Sequence, residues 1–360
     1  MRYTVLGRSG LRVSELALGT VTFGEDWGWG AAEDTSARLL DMYEEAGGNF
    51  VDTADHYTGG TSERYLGTLL RGARRDRFVI GTKFTLQTEL DNVNSAGNSR
   101  KNLVKSIEDS LRRLQTDRID LLWVHAHDTL MPVPELMRAL DDQVRLGKVL
   151  HVGASNWPAW EVSQANTLAE LRGWSPFVGL QIRYNLLERA PERDLLPMAR
   201  QFDLPVLAWG ALAEGRLTGK YLDGSGTGRL TVQPREHSMA GGDDVVVEIG
   251  KIAAAGGWTS AQVAIAWLRN KPGVVIPLLG ATKVEQLADN LGSTEVVLTD
   301  EQMSTLDASA AVELGYPHDL LRHEITVRDM YGVQWDSIDD RRTTVRRGVA
   351  DDHYSPLRPA

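Results

Sequence analysis

NFVDTAD at residues 49–55 and RFVIGTKF at 77–84 are the stretches whose reading decides the fold. Each is a short apolar run without the polar alternation of a half-exposed sheet, which marks a strand covered on both faces. Outward from them the pattern recurs in SELALGTVTF (14–23), RIDLLWVH (118–125), KVLHVGAS (148–155), FVGLQIRYN (177–185), LPVLAWGAL (204–212) and GVVIPLLG (273–280), eight runs in all. Amphipathic segments lie between them at 34–46, 62–71, 99–114, 134–145, 158–171, 192–201, 260–269 and 283–291, several closing near glycine, as at Gly47, Gly72 and Gly147. Eight strand-then-helix units are what a (β/α)8 TIM barrel requires. No linker divides the series, so the expectation is one barrel domain over residues 1–310. A long glycine-rich loop at 213–244, expected to be mobile, follows the seventh strand. A C-terminal extension at 311–360 either frays in solvent, covers the site or bridges an oligomer.

The 360 residues carry 39 Lys plus Arg against 49 Asp plus Glu, a net charge of -10 that argues against a nucleic-acid or anionic-membrane partner. With no cysteine there are no disulfides, no thiolate catalysis and no zinc finger. Arg8, Arg12 and Glu15 break the N-terminal apolar stretch. No run approaches the ~18 apolar residues of a membrane span. A cytoplasmic protein is expected.

In a barrel, inward side chains at the C-terminal strand ends gather the chemistry. Alternation turns Val51, Phe78, Ile80 and Thr82 toward the helices and leaves Asp52 and Lys83 inward. On the following strands it puts Leu121, Trp123 and His125 on one side, and brings Ser155, Gln181 and Trp209 to the same end. A lone lysine near a strand end is usually solvated. An inward lysine in a barrel wall needs a partner, and Asp52 is predicted one strand away.

These residues sit in DTADHYTGGTSERYLG (52–67), FVIGTKF (78–84), DLLWVHAHD (120–128), HVGASNW (151–157), LQIRYNLLER (180–189), WGALAEGRLTGKY (209–221) and IPLLGATKVEQLADNLG (276–292). In order and spacing, over roughly residues 3–295, the chain resembles the aldo-keto reductase superfamily. The resemblance implies a nicotinamide-dependent reduction of aldehydes or ketones and a tetrad of Asp52, Tyr57, Lys83 and His125. The chemistry suits these groups. Hydride arriving at a carbonyl carbon builds negative charge on the oxygen, so the site needs an acid and positive charge beside it. Tyr57 would supply the proton, with a phenol whose ordinary pKa of about 10 a neighbouring ammonium lowers. Lys83 would be that ammonium, Asp52 would hold it, and His125 would hydrogen-bond the oxygen.

The resemblance also implies cofactor contacts. Ser155, Asn156 and Gln181 would bind the nicotinamide carboxamide, Trp209 would stack on the ring, and Gly19, Thr20 and Val21 would lie by the ribose. Gly210 would be a further cofactor contact, and Leu212, Gly215, Leu217 and Lys220 would close over the pyrophosphate. Gly280, Thr282, Lys283, Gln286 and Asn290 match the adenosine end. Thr282 stands where many relatives carry an arginine for the 2′-phosphate, so NADP(H) is expected and NAD(H) stays open. Trp27, Trp29, His127, Trp157 and Tyr184 are expected to wall a broad aromatic pocket.

Two rival functions use the same barrel. A metal-dependent hydrolase could draw on His125 and His127, an H-x-H at a strand end, but no further ligands accompany them. A cofactor-binding regulatory subunit of a channel would bind the nicotinamide with little turnover. A small-molecule carbonyl or alcohol is the expected partner, no metal is expected, and a homo-oligomer is left open.

Overall fold

In a computed structural model, which describes residues 1–222, 224, 231, 242–334 and 337, the eight expected strands are present and close on themselves. They are β3 (Ala17–Gly19), β4 (Phe50–Asp52), β5 (Val79–Phe84), β6 (Ile119–Val124), β7 (Val149–Ser155), β8 (Phe177–Arg183), β9 (Val206–Trp209) and β10 (Val275–Leu279). All pair in parallel, each with its sequence neighbour, and β10 returns to β3, so the fold is a (β/α)8 TIM barrel.

Side-chain parity follows the predicted alternation. Val51, Phe78 and Ile80 join an outer core under the helices, whereas Phe50, Val79, Leu121, Trp123, Val178, Leu207 and Ile276 fill the barrel itself. Trp123 is the largest of these interior groups, and it fits because its neighbours are glycines. A Cβ on Gly153, its direct register partner, would lie 2.5 Å from the indole ring, and one on Gly81 would lie 2.8 Å from Nε1. One on Gly179 would lie 3.2 Å from the ring's far edge.

The barrel's other end is closed by a feature the sequence reading did not anticipate. β1 (Tyr3–Val5) and β2 (Arg12–Ser14) form an antiparallel hairpin, and Leu6 and Val13 from it pack into the interior cluster. The helices that matter below are α1 (Glu33–Glu45), α2 (Thr61–Leu69), α3 (Arg100–Leu114), α4 (Val133–Arg145), α5 (Ala159–Arg172), α6 (Leu195–Gln201), α7 (Asp243–Gly256), α8 (Ser260–Arg269), α9 (Val284–Leu291) and α10 (Asp300–Ser309). Helix α7 was not foreseen.

Past the barrel, α10 is fastened by Asp307, which accepts from Trp267 Nε1 at 3.0 Å and from Lys271 at 3.1 Å. Arg189, in the loop after β8, donates to the Asp307 carbonyl at 2.7 Å. Beyond it lie α11 (His318–Arg322) and α12 (Glu324–Tyr331), where Val327 is the buried residue. Residues 338–360 and 232–241, with most of the expected glycine-rich loop, lie outside the described residues. Among the described residues no helix is long and apolar enough to cross a membrane.

Candidate active site

The C-terminal strand ends bring four of the expected side chains together. Asp52 closes β4 and Lys83 lies one residue from the end of β5, both fully buried and paired at 2.5 Å. Lys83 Nζ has three donors, and all are used: Asp52 Oδ2 at 2.5 Å, the Thr53 carbonyl at 2.7 Å and Tyr57 Oη at 3.1 Å. Burial alone would strip the lysine of its proton; Asp52 and Tyr57 outweigh it and hold the ammonium above the ordinary lysine range. The other oxygen of Asp52 accepts from Gln181 Nε2 at 2.8 Å, so the carboxylate is fixed from two strands.

Tyr57 reaches this ammonium because the chain folds back after β4. Thr58, Gly59 and Gly60 all adopt the left-handed region, and Thr58 Oγ1 anchors the turn on the Phe23 carbonyl at 2.8 Å before α2 begins. His125 follows β6 and meets Tyr57 edge-on at 6.0 Å between ring centres. Burial, then the nearby Lys83 charge and His56, push the His125 imidazole well below its ordinary pKa, so it is neutral.

His56 is a member of the site that the sequence reading did not single out. Its ring lies 5.1 Å from Tyr57, 5.2 Å from His125 and 6.0 Å from Trp27, which in turn lies 5.9 Å from Trp29. The two tryptophans ride on a loop pinched at its base, where Gly24 N donates to Ala31 O at 2.9 Å and Ala31 N to Thr22 O at 2.7 Å. Gly30 has φ +131°, and a Cβ there would lie 1.9 Å from the Gly24 carbonyl oxygen. Gly30→Ala is therefore expected to open the pinch at a local strain of about 1–3 kcal/mol. Faster amide hydrogen exchange at Gly24 and Ala31 would show it; unchanged protection would mean that the loop is held elsewhere.

The other expected pocket residues divide. His127 pairs with Glu161 at the start of α5 and stands at the mouth. Trp157 does not wall the pocket: it is 3% exposed and packs edge-on between His127 and Phe177, behind the wall. Tyr184 is also a correction. It is fully buried in the outer core against Trp267, with its hydroxyl on Glu192 at 2.7 Å. Trp157 follows Asn156, whose left-handed φ of 55° breaks the alternation of β7, whereas Tyr184 keeps the parity of Leu180 and Ile182 and faces the helices with them.

The residues expected around a cofactor ring the same opening. Ser155 Oγ and the His125 carbonyl both accept from Asn156 Nδ2, and Asn156 Oδ1 accepts from Trp209 Nε1 at 3.1 Å, which aligns the half-buried indole along the mouth. Gly19 and Thr20 are buried at the end of β3, where Thr20 Oγ1 donates to the Asp52 carbonyl at 3.0 Å, and Val21 is half-buried beside them. Gly210 has φ +72°, and a Cβ there would stand in ordinary contact with Arg183 and Asn185, each at 3.8 Å. Leu212, Gly215 and Leu217 lie in the turn after β9, with the Leu217 side chain in the outer core, and Lys220 follows them. At the head of α9, Gly280 and Lys283 are exposed, Gln286 accepts from Thr282 N at 3.0 Å, and Asn290 is buried. Among the described residues no cluster of three or more His, Asp or Glu could hold a metal ion, and His125 and His127 have no third ligand.

The profile of the Aldo/keto reductase family matches residues 15–311. The chain is 37% identical to an aldo-keto reductase of Aspergillus calidoustus, an alignment covering 89% of this chain and 85% of the relative. It is 35% identical to a norsolorinic acid reductase of Emericella nidulans, over 90% of this chain and 87% of the relative. It is likewise 35% identical to an aryl-alcohol dehydrogenase of Pestalotiopsis microspora, over 86% and 82%. A closed barrel, a buried Asp–Lys pair reaching a tyrosine at its mouth, and matches across most of both chains agree: this protein belongs to the aldo/keto reductase family.

Proposed function

We propose that the protein interconverts an aldehyde or ketone and its alcohol, with Tyr57 as the general acid or base and NADP(H) preferred over NAD(H). The observation that carries this reading is the Lys83 ammonium, fully buried, with its three donors spent on Asp52, Thr53 and Tyr57. An ammonium 3.1 Å from a phenol stabilises the phenolate left when the proton is given up. Neutral His125 can donate a hydrogen bond to the same carbonyl oxygen. A bound reduced nicotinamide supplies the hydride. Ser155, Asn156 and Trp209 would hold its carboxamide and ring. The wall of Trp27, Trp29 and His56 suits an aromatic substrate, in keeping with relatives named for an aryl alcohol and norsolorinic acid.

Turnover of benzaldehyde, followed by absorbance of the reduced cofactor, tests the reading; a protein that binds the cofactor and turns over no carbonyl compound would overturn it. Lys283 at the N-terminus of α9 is the cation that would meet a 2′-phosphate, helped by the helix's positive end. As a single exposed point charge it should give a preference on the order of ten- to a hundredfold in kcat/KM for NADPH over NADH. Lys283→Ala should remove most of it, and added salt should shrink it. Equal kcat/KM for the two cofactors at low ionic strength would show that the 2′-phosphate is not read there.

A further inference from the structure

Two buried groups without a well-formed hydrogen bond lie together beside Tyr57: Nδ1 of His56, and the Asp55 carboxyl, which the Ser106 hydroxyl and the His56 backbone N–H approach without closing one. Buried polar atoms are nearly always paired, so such a cluster points to a partner it is built to take. Asp55 Oδ1 stands 4.0 Å from His56 Nδ1. That gap is too narrow for a water and about 1 Å longer than a hydrogen bond. The Asp55 carboxyl faces Glu63 on α2 and Arg113 and Ser106 on α3. The His56 ring faces Tyr57, His125 and Trp27, with the Lys83 charge behind them. About a quarter of the His56 side chain is exposed, and because Nδ1 is buried toward Asp55, the exposed edge carries Nε2 into the mouth.

We propose that Asp55 and His56 form a carboxyl–imidazole pair that presents His56 Nε2 to the mouth as a hydrogen-bond donor, making His56 a positioning residue for aryl carbonyl compounds with a second oxygen beside the reacting one. This rests on the carbonyl-reductase reading above. Asp55 is pushed up to about 8 by burial and by Glu63, against Arg113, and His56 is lowered to about 4 by burial and Lys83. Between those values the pair holds one carboxyl proton and one imidazole proton. The carboxyl O–H donates to Nδ1 once the two side chains close the remaining gap of about 1 Å, and the imidazole proton stays on Nε2. When Asp55 ionises, its carboxylate takes the imidazole proton as a hydrogen bond from Nδ1, and Nε2 becomes an acceptor that disfavours the substrate's second oxygen. The aryl preference comes from the ring wall, and the position of the second oxygen from His56 lying between Tyr57 and His125.

The test is the ratio of kcat/KM for 2-methoxybenzaldehyde to that for benzaldehyde at saturating reduced cofactor, from about pH 6.5 to about pH 9.5, a range that spans the Asp55 ionisation. In the wild-type protein the ratio should fall about five- to tenfold as the pH rises through 8, the worth of one neutral hydrogen bond. Asp55→Asn, whose amide N–H donates to Nδ1 as the acid does, should keep the high ratio across the range. His56→Phe, which keeps the ring, should show the low ratio at every pH. A wild-type ratio that ignores pH, or a high ratio surviving in His56→Phe, overturns the pair. No wild-type turnover of either aldehyde would instead overturn the reductase reading, and the pair's role with it.

Discussion

Tyr57→Phe should lower kcat by about 10²- to 10⁴-fold, the usual worth of a positioned general acid, while cofactor affinity stays nearly intact. The substitution keeps the ring against His56, His125 and the Lys83 ammonium, which lies 4.7 Å from the ring centre, and removes only the hydroxyl. A structural loss is therefore not expected, and the effect should appear in kcat without a matching change in cofactor Kd. Lys83→Met should be similarly inactive for a different reason: it removes the charge that stabilises the phenolate and leaves Asp52 buried and unpaired. Stopped-flow turnover with cofactor-fluorescence titration separates the two quantities. A Tyr57→Phe protein with wild-type kcat would remove Tyr57 from the chemistry.

Gly153→Ala should destabilise the fold by about 3 kcal/mol, at the upper end of what an added methyl does in a packed core. The new Cβ would lie 2.5 Å from the Trp123 ring, which cannot retreat because the Gly81 and Gly179 backbones bound its other edges. The denaturant midpoint should fall with little change in slope. Trp123→Phe alone should also destabilise, by leaving a cavity. Combining the two should recover part of the loss, since the smaller ring makes room for the methyl. Strict additivity of the two changes would show that the contact is not what limits the packing.

The barrel and its inward groups were legible because parallel strands covered on both faces still alternate: Val51 against Asp52 and Ile80 against Lys83 sort by parity alone. Parity stops with the strand. Trp157 was misplaced for that reason, Tyr184 against the parity that turns it outward with Leu180 and Ile182, and His56, in a turn with no period, was passed over beside a tyrosine that was not. The hairpin of β1 and β2 escaped because three-residue strands carry too little pattern to register. The glycines around Trp123 are visible in the sequence, but only the pairing of β5 to β8 reveals that they share one indole.

The hairpin makes the barrel a one-ended vessel. With Leu6 and Val13 packed into its floor, the buried Asp52–Lys83 pair faces, among the described residues, the end where Tyr57, His56 and His125 stand. On the proposed function, a molecule seated there is a stopper as well as a reactant. Once the opening is filled, the local permittivity drops, and since charge–charge energies scale inversely with permittivity, the pull of the Lys83 ammonium on an oxygen gathering charge strengthens in the filled vessel and not in the vacant one. Occupancy and electrostatic drive are then a single event, and a fragment too small to plug the opening should react more slowly than its intrinsic reactivity warrants, however well its carbonyl fits.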